Sequence, residues 1–289
     1  MNVFKKHKTL IGGGALLLFL SGCTSVLDKN GNVLPDKIIS STTTLAEIWA
    51  NESWFSALFV FPLAKAINFL QPYLGIALAI AAVTIFIKLI TLTFTIKSTV
   101  ATQKMQVLQP ELNKIQKKYE GKKDDQSRMA MGQEMQALYT KHNVNPLGTI
   151  LVTFIQLPII LAMWQAVQRS ESVLNGTLFG ASLKVTPMTG FLEMNFIYII
   201  IFLLMGAFQF ASMMLPQYLA KKAAKSRPGD KPAPNSQKGM MYGMFAMIMF
   251  ISINWPTAMS LYWLVSAFAQ VAQTLFIQWK YIDTPAGAK

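Results

Sequence analysis

Acidic side chains are scarce in this sequence. Thirteen Asp and Glu stand against 26 Lys and Arg in 289 residues, a formal net charge of +13. Charge of either sign is thin as well, at 13% against roughly 25% in an average soluble domain. A soluble fold needs a polar exterior, which excludes the pair of soluble domains that the length alone would suggest at about 150 residues each. One cysteine excludes an internal disulfide framework. Two histidines and that single cysteine supply no metal-ligand cluster, and neither a Walker loop nor a GxGxxG fingerprint occurs. The expectation is therefore no enzyme, no catalytic residue, no metal and no cofactor beyond a covalent lipid. What is abundant is apolar: 53% hydrophobic residues and a mean hydropathy of +0.38. The chain reads as an integral membrane protein, in which excess Lys and Arg report orientation and anionic lipid before nucleic acid. Membrane lipids are expected partners and DNA is not.

The cysteine gives the N-terminus its meaning. Lys5, Lys6 and Lys8 precede the apolar run Leu10 to Leu20, too short to span a bilayer, and the run ends in Leu20-Ser21-Gly22-Cys23. This resembles a bacterial lipobox: residues 1–22 would be a lipoprotein signal peptide, and Cys23 would carry diacylglycerol and palmitate. An ordinary cleaved signal or a chance cysteine stays open as the alternative. Removing the signal takes three lysines and leaves a net charge of +10. Residues 23–53, rich in Ser, Thr, Asp, Asn and Gly as far as Thr44, read as a flexible external tether. Residues 54–72, amphipathic and aromatic with Lys65 in their midst, read as a helix on the outer membrane surface.

Long charge-poor runs follow. Leu74 to Ile96 is 23 residues interrupted only by Lys88, Leu147 to Val167 is 21, and Met194 to Leu219 is 26. Gly239 to Trp279 is 41 residues without a charge, twice the roughly 20 that span the hydrocarbon core, and Asn254-Trp255-Pro256 breaks it. The expected fold is all-α with five transmembrane helices, at 74–96, 147–167, 194–219, 239–254 and 257–279, inside a core of residues 73–279. Seventeen basic residues fall in the loops 97–145 and 217–238 and the tail 280–289, against five outside, so the orientation is N-out and C-in. That places the chain in a bacterial plasma membrane as a multi-pass protein, its lipid-anchored N-terminus on the outer side.

Two inner segments have patterns of their own. Met105, Leu108, Leu112, Ile115 and Tyr119 recur at spacings of 3 and 4, then Gly121-Lys122-Lys123-Asp124-Asp125 breaks the pattern, and Met131, Met135 and Leu138 resume it. The loop 97–145 is expected to be a cytoplasmic helical hairpin. It is either a self-contained hairpin with a solvated basic surface or an adaptable Met-containing surface for apolar partners. The basic loop 217–238, with Lys221, Lys222, Lys225, Arg227, Lys231 and Lys238, suits anionic lipid or ribosomal RNA.

Lys88 is the one ionisable residue within the expected spans, at a site costing about 2.5 to 3.5 kcal/mol. Thr84, Lys88, Thr91 and Thr95 form one polar stripe, and other spans carry polar faces: Thr149, Thr153 and Gln156; Gln209 and Ser212; Ser260, Trp263, Ser266, Gln270 and Gln273. Such residues often serve as interhelical glue. Around an unmatched lysine they also suit a wet, positively charged groove open to the cytoplasm and to lipid. A small-solute or ion transporter with Lys88 as an anion or proton site is the rival reading, and a passive lipoprotein scaffold a third.

The lipobox, the five runs, the single cation of the first, the Lys-rich hairpin with Leu108-Gln109-Pro110-Glu111, Asn145-Pro146-Leu147-Gly148 leading to Phe154-Ile155-Gln156-Leu157-Pro158, and Leu261-Tyr262-Trp263 together resemble the YidC/Oxa/Alb family of membrane-protein insertases. The resemblance runs from about Trp54 to Trp279 and follows the lipoprotein-type, five-span branch of Gram-positive bacteria. It implies an insertase and chaperone for integral membrane proteins, acting alone or with the Sec translocon, with nascent clients as partners and the ribosome as a further candidate. The family's groove cation falls on Lys88 and its polar partners on Gln156, Gln209 and Trp263, to which the stripe adds Thr84, Thr91 and Gln270. The family more often has Arg at the cation, and lysine lacks its planar five-donor fork. It also commonly has Asn where this chain reads Ser266-Ala267-Phe268, and the tail from Lys280 lacks the long basic ribosome-binding extension of some paralogues.

Overall fold

The structure is a computed structural model of the chain. It describes residues 26–28, 33–122, 124–145, 147–225 and 235–283, without side chains at 95, 147–153, 220–221, 223–225, 235–238 and 240. The signal peptide, Cys23, Pro146, the centre of the basic loop and the end of the tail lie outside the described residues, as do the side chains of Thr95, Thr149 and Thr153.

The helices are α1 (Leu45–Asn51), α2 (Phe61–Leu74), α3 (Ile76–Val107), α4 (Gln109–Lys118), α5 (Asp125–Lys141), α6 (Leu147–Arg169), α7 (Glu171–Leu174), α8 (Pro187–Leu192), α9 (Phe196–Lys225), α10 (Asn235–Asn254) and α11 (Thr257–Ile277). A π-helical stretch, Ser56–Val60, leads into α2. Among the described residues four helices are long and apolar enough to cross a membrane: Ser56–Leu74, Ile76–Phe94, Phe196–Leu219 and Thr257–Asp283. Met241–Asn254 is a shorter apolar helix. The protein is a helical, multi-pass membrane protein.

Punctuation residues set the boundaries. Gly75, at φ 75, separates α2 from α3. Trp255 and Pro256 end α10 and begin α11, dividing the 41-residue run. Thr44 and Glu47 form a reciprocal capping box at the start of α1, and Asp124 caps α5 through the Ser127 amide. The expected seam from Met105 is divided: α3 ends at Val107, Leu108 turns, and Pro110 sits in the first turn of α4. A proline has no N–H to continue a helix but fits its opening turn, which explains the break. One feature adds to an all-α fold: β1 (Thr177–Leu178) pairs antiparallel with β2 (Ala181–Ser182). Phe179 and Gly180, at φ 51 and 85, make the tight turn between them.

The chain divides into two compact units, Met1–Val83 with Pro158–Val185 and Thr84–Leu157 with Thr186–Lys289. In the first, Ile39, Ile48, Phe55, Ala57, Val60, Ala64, Ala162 and Ala166 form the core. Residues 33–53, expected to be a flexible tether, are folded. Ile39 is fully buried and bridges to Ser170, with its amide on the Arg169 carbonyl at 2.7 Å. Asn68 donates to the Ile39 carbonyl at 2.7 Å, and Lys65 to the Ser40 and Ser41 carbonyls at 3.2 and 2.6 Å. Composition suggested a tether because these partners lie 24 or more residues away in sequence, out of reach of a local reading. Arg169 is buried, donating to Glu52 Oε1 and the Lys37 carbonyl, each at 2.6 Å, and to Ser56 Oγ at 3.4 Å.

In the second unit α9 packs along α11, and Phe208 meets Phe268 edge-on at 5.7 Å. The α4–α5 hairpin closes on Glu134, which accepts from Lys118 and, at 2.9 Å, from the Tyr119 hydroxyl. The Lys118 hydrogen bond holds the Glu134 carboxyl below its usual range, and the same bond raises the Lys118 ammonium. The carboxylate's contribution is therefore complete above the ordinary value of 4.5 and lost as pH falls through the lowered one. The ammonium's contribution is complete below 10.5 and lost as pH rises through the raised value. A nitroxide pair across α4 and α5 should report one narrow distance from about pH 5 to pH 10 that broadens on either side.

Candidate functional site

Of the expected polar stripe of α3, Lys88 and Thr91 line a common recess. Lys88, Thr91, Leu92 and Thr99 fall on one face of a 3.6-residue helix. They line a recess with Gln156 of α6 and Gln270 and Gln273 of α11, all within the second unit. On the remaining faces of α3, Phe86, Leu89, Ile90 and Phe94 are exposed, as suits a helix bordering lipid. The lining extends along α3 for about 16 Å, from 11 residues at 1.5 Å each.

The recess, open to solvent, holds about 50 Å³ for water centres, room for a few waters. Lys88 is half-buried on its wall. Among the described residues the ion pairs join Lys37 to Asp36 and Glu52, Lys118 to Glu134, His142 to Glu111 and Arg169 to Glu52; none involves Lys88. The wall therefore presents one ammonium with three N–H donors, three primary amides that both donate and accept, and two threonine hydroxyls. Leu92 is its one apolar member. The Thr91 hydroxyl donates to the Ile87 carbonyl at 2.5 Å, which fixes its rotamer.

Two local features hold this wall in place. Gln103, one turn beyond Thr99 and buried, donates to the Thr274 carbonyl at 3.3 Å and so fixes the spacing of α3 and α11. Gln156 lies two residues before Pro158, which lacks the N–H that would otherwise bond the Phe154 carbonyl. The arrangement can solvate a peptide backbone and polar side chains, and it offers an acidic group a cation in a setting less screened than bulk water.

Four of the expected groove residues, Lys88, Thr91, Gln156 and Gln270, are brought together here. Three are not in the lining. Thr84 is buried one turn before Lys88. Gln209 is half-buried on α9, where its backbone carbonyl accepts from Ser212 Oγ at 2.8 Å. Trp263 stacks on Trp255, with centroids 5.6 Å apart and an 18° angle, bracing the turn between α10 and α11. Thr99 and Leu92 line the recess without having been assigned to it, and Gln273, already named on the polar face of the last span, joins them. Continuing the 88–91–95 spacing by one more step would have found Thr99, and Gln273 shares a face with Gln270 at i, i+3.

The family model for the 60Kd inner membrane protein matches residues 69–284 of this chain. Curated relatives are similar along most of their length. The membrane protein insertase YidC of Enterococcus faecalis is 34% identical over 75% of this chain and 72% of its own. Membrane protein insertase YidC 1 of Streptococcus pyogenes is 31% identical over 86% and 83%. Membrane protein insertase MisCA of Bacillus subtilis is 32% identical over 76% and 77%. The matched region begins within α2 and holds every residue of the Lys88 recess. On that coverage and identity, the chain belongs to the 60Kd inner membrane protein family, the YidC/Oxa/Alb membrane-protein insertases.

Proposed function

We propose that this chain inserts integral membrane proteins by admitting a client's hydrophilic segment to the Lys88 recess while the client's apolar helix passes into lipid beside it. The observation that carries the reading is Lys88 itself: a cation on the wall of an open, amide-lined recess, with no ion pair among the described residues. Water in the recess and the amide oxygens of Gln156, Gln270 and Gln273 offset the desolvation of the ammonium, and an acidic client segment supplies the missing countercharge. A polar segment entering the recess keeps hydrogen-bonding partners, so its transfer costs less than passage through hydrocarbon. Burial of the client's apolar helix, at about 25 cal/mol per Å², drives the process without nucleotide.

In this reading five helices span the membrane with the N-terminus outside. The 17 basic residues of residues 97–145, 217–238 and 280–289 face the cytoplasm, and the recess opens to that side and to lipid. Cys23 carries the lipid anchor outside. The α4–α5 hairpin and the basic loop face the ribosome and the Sec translocon, the two partners from which a nascent client would arrive.

Photo-crosslinking of ribosome-bound nascent chains tests the reading. A crosslinker at Thr91 or Gln270 should capture polar segments of many unrelated clients, and one at Phe86 on the exposed face should capture their apolar helices. Crosslinks confined to Phe86, with none from the recess positions, would contradict it. A transporter would yield neither.

A further inference from the structure

The seven-residue helix α1 is too short to persist by itself, yet the chain builds it with care. A capping box starts it, and its C-cap residue, Glu52, is nailed by the buried Arg169 guanidinium at 2.6 Å. Ile48 anchors it in the core at 5% exposure. On another side Leu45 and Trp49, an i, i+4 pair, are 49% and 55% exposed. The helix packs on the Ser56–Val60 stretch, and in and just before that stretch Trp54, Leu58 and Phe59 are also exposed, with Trp54 edge-on against Phe59 at 6.3 Å. Leu58 and Phe59 already belong to Ser56–Leu74, a helix long and apolar enough for a membrane.

We propose that the Leu45–Trp49 face of α1, continuous with Trp54, Leu58 and Phe59, docks on the lipid bilayer at the boundary between headgroups and acyl chains. The occupant follows from chemistry and continuity. Tryptophan combines a large apolar ring with an N–H donor, which suits that boundary above all other environments. The exposed side chains adjoin Ser56–Leu74, a helix long and apolar enough for a membrane. Glu47, on the capping-box side, keeps its carboxylate on the Thr44 amide and away from the acyl chains. Docking turns residues 34–52 into a collar that holds the first unit at a fixed depth.

The test uses the full chain with Trp49 as its only tryptophan, the other five replaced by Phe, in vesicles of phosphatidylglycerol and phosphatidylethanolamine. Lipids carrying a doxyl group at carbon 5 or carbon 12 report depth. Trp49 emission should be blue-shifted and quenched more strongly by the carbon 5 label. Emission typical of water, unquenched by either label, would overturn the proposal, as would stronger quenching from carbon 12. If loss of five tryptophans unfolds the chain, a nitroxide on Trp49→Cys in a Cys23→Ser background gives the same answer. Greater accessibility to oxygen than to a water-soluble nickel complex supports docking, and the reverse overturns it. The same label at Glu47→Cys should show the aqueous pattern.

Discussion

Replacing Lys88 with Ala should reduce insertion of clients with acidic translocated segments by about tenfold, and replacing it with Glu should abolish it. The magnitude follows from one charge interaction at intermediate dielectric. An ion pair at 4 Å is worth about 1 kcal/mol in water and about 4 kcal/mol near a protein surface, and a tenfold effect corresponds to about 1.4 kcal/mol. Lys88 lines a recess open to solvent, so the lower half of that range applies. Lys88→Arg should retain insertion, because the charge survives and the guanidinium adds donors. Clients with neutral translocated segments should lose less than acidic ones under Lys88→Ala. The measurement is the fraction of pulse-labelled client reaching a protease-protected form in cells depleted of the native protein, with the variant level confirmed by immunoblot.

Arg169→Ala should destabilise the first unit by about 3 kcal/mol, the low end of the cost of breaking a buried pair, because Lys37 still faces Glu52 Oε1 at 3.7 Å. Arg169 and Glu52 are 1% and 2% exposed at their side chains, and Arg169 also holds the Lys37 carbonyl. Removing the guanidinium leaves Glu52 buried with Oε2 already lacking a hydrogen-bond partner among the described residues. The N-terminal arm should then loosen, seen as faster tryptic cleavage after Lys37 and a lowered melting temperature in detergent. The double replacement Arg169→Met with Glu52→Leu should recover most of the loss, since two apolar groups need no countercharge. A double variant as unstable as Arg169→Ala would show that the pair is not the source of the effect.

These two cations show what the sequence made legible and what it did not. Lys88 stood out because it interrupts an apolar run, and a helix converts spacings of 3 and 4 into a shared face by geometry alone. Gln156 and Gln270 were found for the same reason, as polar letters in apolar surroundings. Arg169 was invisible as a site, because it falls at the end of an apolar run where any topology places a charge. Its partners, Glu52, Lys37 and Ser56, lie 113 or more residues away and carry no local signature. The folded arm around Ile39 was missed on the same grounds: its composition is that of a linker, and only long-range carbonyl contacts make it structure. Gln209 and Trp263 were assigned to the groove by resemblance and do not line the recess, whereas Thr99, which was not assigned, does. Trp263 has its own task against Trp255.

The exposed stretch of α3 bears on the same distinction. Phe86, Leu89 and Phe94 would count as errors on a soluble protein's surface, and beside lipid they are the expected finish. Local sequence therefore specified which faces are apolar, while the side chains that close the recess depended on how α3, α6 and α11 meet.

The most direct test of a charge-matched recess is a swap. A client whose translocated segment carries two acidic residues is compared with a version carrying two lysines, each in cells whose only insertase is the native protein or Lys88→Glu. The account predicts reversal: the acidic client inserts only with Lys88, and the lysine client inserts better with Lys88→Glu than with the native protein. Equal insertion of both clients by both proteins would contradict it.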